Sequence, residues 1–182
     1  MTRILLALAV AIPIFAAEQT VQLTPENTNI EWTLSDPLHT VHGTFKLKHG
    51  SIAFDTATGK ASGEVVVDVK SGESGSEARD SRMHKNVLES AKYPEAIFTP
   101  DHIEGKIATQ GVSLLKLHGS FQIHGSAHEI TMDVLVNPDL GQTDASFAIP
   151  YVAWGMKDPS NFLIKVGKTV QMKIQTTAAV RP

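Results

Sequence analysis

Apolar and polar residues alternate with a period of two along most of the chain, and this alternation restricts the fold more than any other feature. Over residues 115–124, Leu115, Leu117, Gly119, Phe121 and Ile123 fall on one face and Lys116, His118, Ser120, Gln122 and His124 on the other. That is the pattern of a half-buried strand. After Gly125-Ser126, the residues Ile130, Met132, Val134 and Val136 alternate with Glu129, Thr131, Asp133 and Leu135, so the two runs predict a hairpin. The same rhythm recurs at Ile30, Trp32 and Leu34; at Val41, Gly43, Phe45 and Leu47; at Val65, Val67 and Val69; at Ala145, Phe147 and Ile149; and at Val170, Met172 and Ile174. Shorter strands are expected at 51–54, before a turn over 55–59, and at 95–99.

One stretch breaks the rhythm. Ala78, Met83, Val87, Leu88 and Ala91 follow helical spacing, which predicts an amphipathic helix over 76–91 with Ser76 as N-cap and Pro94 beyond its end. Roughly eight or nine strands with one inserted helix predict an all-β domain. A closed antiparallel barrel is preferred to a two-sheet sandwich, because closure removes the exposed edges of a long sheet.

The 182-residue length fits one domain with a single core. With 16 Lys+Arg against 19 Asp+Glu and a net charge of −3, the chain lacks the basic face that nucleic acid requires. Residues 1–17 carry Arg3 and then an apolar run from Ile4 to Ala17 interrupted by Pro13, which reads as a signal peptide cleaved after Ala16 or Ala17. The expected mature domain is therefore 18–182, periplasmic or secreted, with no membrane span. Cysteine is absent, so disulfides, thiolate catalysis and Cys-based metal sites are excluded.

No catalytic constellation emerges, and no enzyme activity or cofactor is expected. The run Gly72-Glu73-Ser74-Gly75-Ser76 resembles a nucleophile elbow but has Ser where the motif needs Gly. Phosphate-loop, dinucleotide and paired-histidine motifs are missing. Among the eight histidines, His118 and His124 share a strand face but stand about 20 Å apart at the usual rise, too far to hold one ion. His124 with His128, and His39 with His42, remain open as pairs, although solvated histidine is the expectation. On the predicted helix, Arg79, Arg82 and Lys85 stand beside Asp80 and His84, forming either an ordinary ion-paired face or a clamp for a polar head. Alternation alone cannot separate a packed barrel from a hollow one.

Three stretches, RDSRMHKNVLESAKYPEAIF at 79–98, LHGSFQIHGSAHEITMDV at 117–134 and WGMKDPSNFLIKV at 154–166, together with GTF at 43–45, resemble the YceI-like family of exported lipid- and polyisoprenoid-binding proteins. The resemblance covers nearly all of the expected mature chain. It implies an eight-stranded antiparallel lipocalin-like barrel, a helix at its side or mouth, and a long apolar tunnel for an isoprenoid or other amphiphilic lipid. It implies no catalytic residues. Where family members usually carry an aromatic residue on the helix, this chain has Met83, Val87 and Leu88.

The residues expected to meet such a ligand are Trp32, Phe45, Val65, Val67, Met83, Val87, Leu88 and Leu117. Gly119, Phe121, Ile123, Met132, Val134, Phe147 and Met172 complete the wall. Arg79 and Arg82 are the candidates for the polar head. Gly119 is expected to leave a gap beside Phe121 for an alkyl chain, so that Gly119→Leu would fill it without unfolding the protein. The preferred function is transport, storage or sequestration of a long apolar lipid. The alternative is a non-enzymatic metal- or partner-binding envelope module with a packed core, and a homodimer is compatible with either.

Overall fold

The computed structural model describes residues 18–36, 39–162 and 165–178. The segment read as a signal peptide, 1–17, lies outside them. The elements in chain order are β1 (Gln19–Leu23), β2 (Thr28–Ser35), β3 (Thr40–Asp55), β4 (Lys60–Glu73), helix α1 (Glu77–Arg82) running into a π-helical turn (Met83–Val87), β5 (Glu95–Glu104), β6 (Ser113–Ile123), β7 (Ser126–Asn137), β8 (Gln142–Ile149) and β9 (Val170–Thr176). All strand pairs are antiparallel, in the order β1-β3-β2-β9-β8-β7-β6-β5-β4, and β4 returns to pair with β3. Eight strands thus close a barrel. β1 is the ninth strand and lies on the same edge of β3 as β2, covering residues 50–54 where β2 covers 40–45.

Closure follows the alternation. On β6 and β7, Leu115, Leu117, Phe121, Ile123, Ile130, Met132, Val134 and Val136 are all buried. Leu114 and Leu135, opposite each other in register, face outward and are exposed. Cross-strand partners stack the inward side chains into layers. One runs through Phe45, Ile30, Ile174, Ala145, Val134 and Leu115, and another joins Trp32, Met172 and Phe147.

Two irregularities depart from the expected pattern. The strand foreseen at 51–54 is the second half of the 16-residue β3. A register shift between Leu47 and His49 moves the inward positions from Val41, Phe45 and Leu47 to Ile52 and Phe54, so one strand keeps facing the core after the parity of its apolar residues changes. The helix is shorter than foreseen. The Leu88 N–H closes on the Met83 carbonyl at 2.9 Å, a π-type turn, and Glu89 then takes a left-handed conformation (φ 45°) that ends it. Ser76 does occupy the N-cap but makes no side-chain cap bond.

The β6–β7 hairpin turns on His124 and Gly125, with φ of 52° and 79°, as a two-residue turn with positive φ at both positions requires. His124 therefore belongs to the turn and not to the strand. Its ring lies 4.5 Å from that of Tyr93, and its Nε2 is 3.1 Å from Glu89 Oε2. The expectation of a water-facing strand histidine is corrected accordingly.

Candidate functional site

The inward faces do not meet. They enclose a cavity of about 980 Å³, at the upper end of the range for small-molecule sites. Every apolar side chain foreseen for the wall lines it: Trp32, Phe45, Val65, Val67, Leu117, Phe121, Ile123, Met132, Val134, Phe147 and Met172 from the strands, and Met83, Val87 and Leu88 from the helical segment. The packed-core alternative is thereby set aside. Sequence reasoning missed the contribution of the long connection after β8, from which Tyr151, Met156, Lys157, Asp158, Pro159, Ser160, Asn161 and Val166 reach the cavity.

Gly119 does not line the cavity. A Cβ built there would lie 2.3 Å from the Thr99 carbonyl oxygen and 2.7 Å from Pro100 Cα. The space beside Phe121 is already filled by the backbone of β5. Pro100, opposite Gly119, begins a register shift before His102, and a proline within a sheet is tolerated at such a bulge. Gly119 is there to admit β5, so the expectation that Gly119→Leu would fill a gap harmlessly is overturned.

The cavity has a polar end. In an up-and-down barrel, alternate connections gather at each rim, so β2–β3, β4–β5, β6–β7 and β8–β9 share one end. The charged lining residues Asp36, Arg79, Arg82, Lys157 and Asp158 all come from these connections, as do the exposed lining residues His39, Asn86, Pro159 and Asn161. That end is the mouth. At the opposite end the cavity is lined by buried or half-buried side chains such as Val21, Leu23, Ile103 and Val136.

The mouth is held by specific polar contacts. Arg79 donates from Nε to the Ser74 hydroxyl and from a terminal nitrogen to the Ser74 carbonyl, both at 2.7 Å. The Ser74 hydroxyl in turn donates to Asp80. The elbow-like serine therefore anchors the start of the helix. His84 bridges the Gly72 carbonyl (2.8 Å) and the Ser90 hydroxyl (3.0 Å), tying the π-helical turn to the end of β4. Across the opening, Tyr151 donates its hydroxyl to the Gly167 carbonyl at 2.8 Å and so closes the 150–169 connection on itself. Burial, with a smaller contribution from Asp158, pushes the Tyr151 phenol up to about 12. Phe121 packs edge-on to Phe147 (5.5 Å) and against Trp154 (6.2 Å), and Trp154 stacks on His128 at 4.1 Å. His128 is therefore engaged with Trp154 while His124 lies on Tyr93. His39 faces Asp36 at 3.8 Å, whereas His42 contacts Thr33 at 3.0 Å. Neither of the histidine pairs left open by the sequence appears among the groups of potential metal ligands in the described residues. The one such group is Asp101, His118 and Glu129, on the outer face of β5, β6 and β7, with ligand atoms within 4.8 Å of one another. Its contacts are exposed ion pairs at 2.8 and 3.7 Å.

This closed barrel with a helix at its mouth is matched by a family model, the YceI-like domain, over residues 22–178. The chain belongs to the YceI-like family. Among solved structures, BcnA of Burkholderia cenocepacia is similar, with a TM-score of 0.63 and 19% identity over 81% of this chain and 94% of that one. A polyisoprenoid binding domain from Saccharophagus degradans, implicated in plant cell wall breakdown, gives 0.60 and 16% identity over 86% and 95%. The Campylobacter jejuni YCEI protein gives 0.61 and 19% identity over 81% and 89%. At these identities the likeness establishes a shared YceI-like fold. No curated protein matches the chain in sequence. Among the described residues, no helix is long and apolar enough to cross a membrane.

Proposed function

We propose that this YceI-like barrel is a non-enzymatic binding protein that holds one long apolar chain, of isoprenoid or similar amphiphilic character, inside the cavity with its polar head at the helix-bearing mouth. The observation that carries this reading is the division of the cavity wall, apolar through its depth and charged at one rim. A methylene transferred from water to such a wall gains about 0.8 kcal/mol. About ten of them gain roughly 8 kcal/mol, which falls within the range of 4–15 kcal/mol estimated for lost freedom on association. A short chain would be held weakly, so a long one is the natural occupant. The polyisoprenoid binding domain from Saccharophagus degradans shares the fold and adds to this reading. The apolar run at 4–17 supports export to the periplasm or medium, where a soluble container would carry, store or sequester lipid.

The test is uptake of N-phenyl-1-naphthylamine, a neutral apolar dye that brightens in apolar surroundings. The wild-type protein should take up the dye saturably. Ala145 lines the cavity with only a methyl group, so Ala145→Phe should place a ring in the empty space and lower uptake at least tenfold with the circular dichroism spectrum retained. Equal uptake by a well-folded Ala145→Phe variant would show that the dye binds elsewhere.

A further inference from the structure

The charges at the mouth are not equally free. Arg79 is bound to Ser74 and stands near Asp80. Asp158 accepts from the Ser160 backbone N–H at 2.9 Å and faces Lys168 at 3.6 Å, and Asp36 accepts from the His39 backbone N–H at 2.8 Å. Arg82 and Lys157 also line the cavity, one from the helix and one from the β8–β9 connection, and neither has a hydrogen-bond or ion-pair partner in the described structure. Two cationic residues from separate elements thus line the mouth of an apolar chamber, while both carboxylates that line the same mouth already have partners.

We infer that the ligand carries an anionic head, a carboxylate or a phosphate, met at the mouth by Arg82 and Lys157. This rests on the reading of the cavity as a lipid site and adds the sign of the head. An alcohol, quinone or amide head leaves both cations as they are. An anion accepts charge-assisted hydrogen bonds from them, next to an apolar wall where charges interact more strongly than in bulk water. Because the mouth is open to solvent, the head keeps part of its hydration and avoids the penalty of a buried ion. Arginine can grip either head through two parallel N–H groups, and lysine supplies a point charge to both.

Displacement of the same dye at low ionic strength tests this with two matched pairs, oleate against oleyl alcohol and geranylgeranyl phosphate against geranylgeraniol. Within at least one pair the anion should displace the dye at roughly tenfold lower concentration, the worth of one charge-assisted contact, and the pair that shows it tells carboxylate from phosphate. In the Arg82→Gln/Lys157→Gln double variant the ratio should fall toward one. It should persist in Lys85→Gln, which removes a helix charge that does not line the cavity, and shrink with added salt. Equal potency of anion and alcohol in both pairs, or a ratio that survives in the double variant, overturns the anionic head while leaving the lipid cavity standing. Failure of the dye to enter the barrel overturns the cavity reading and this inference with it.

Discussion

A single missing side chain at position 119 decides how two strands meet. The alternation places Gly119 on the inner face between Leu117 and Phe121, and from sequence that position reads as vacant space. The structure fills it with the carbonyl of Thr99 and the Cα of Pro100. What the sequence could not show is the bulge in β5, since nothing in a linear pattern says which strand will press on a glycine. Gly119→Ala should therefore force the β5 backbone aside and destabilise the fold by about 1–3 kcal/mol, measured by urea denaturation. A neutral or stabilising effect would restore the idea of a gap. On the outer face, the hydrogen bond that the His118 ring donates to the Asp101 carboxylate raises the His118 pKa above 6.5, opposed by desolvation and helped by the negative charges of Asp101, Glu129 and Glu104. A raised pKa means that this contribution to stability is full below pH 6.5 and is lost as pH rises through the higher folded value. In an NMR titration, His118 should titrate above the ordinary imidazole value, and Asp101→Asn should lower it. An unchanged midpoint in that variant would discount the pair.

The elements divide into those the alternation reveals and those that break it. β6 and β7 are legible almost residue by residue because each keeps one parity from end to end. β3 reads as two strands because its bulge changes parity between Leu47 and His49. The helix is visible in its apolar spacing, but its end is set by a π-type closure and the left-handed Glu89, neither of which has a residue signature. Least legible is the 150–169 connection. It has no period to detect, yet it supplies much of the mouth, and its closing contact joins Tyr151 to a carbonyl 16 residues on. Tyr151→Phe should remove that hydrogen bond at a loss of about 1 kcal/mol, or roughly 2–4 °C in Tm for a chain of this size. Because the folded phenol ionises only near 12, its contribution is complete below pH 10 and is lost as pH rises from there toward 12. The difference in Tm between wild type and Tyr151→Phe should therefore narrow in strong alkali. A constant difference from pH 8 to 11 would mean that the phenol is not held neutral by burial.

For the whole molecule, the same alternation serves a solid barrel and a hollow one, and for that reason the cavity was the part of the site that periodicity could not supply. The wall residues were legible as an inner face. Their failure to meet depends on the eight-strand ring, on its tilt and on the helix and connection that keep the mouth from collapsing inward. Apolar lining in depth, a charged rim at one end and the absence of disulfides describe a hollow barrel whose stability rests on its ring of paired strands, with the room inside that the proposed lipid would fill. Native mass spectrometry of the protein isolated in mild buffer from its own cells tests that description most directly. The expected mass is that of the chain plus one amphiphile, released on organic extraction and identified by its fragments as a long apolar chain with a polar head. A bare chain mass, in a preparation that also takes up no added amphiphile, would contradict it.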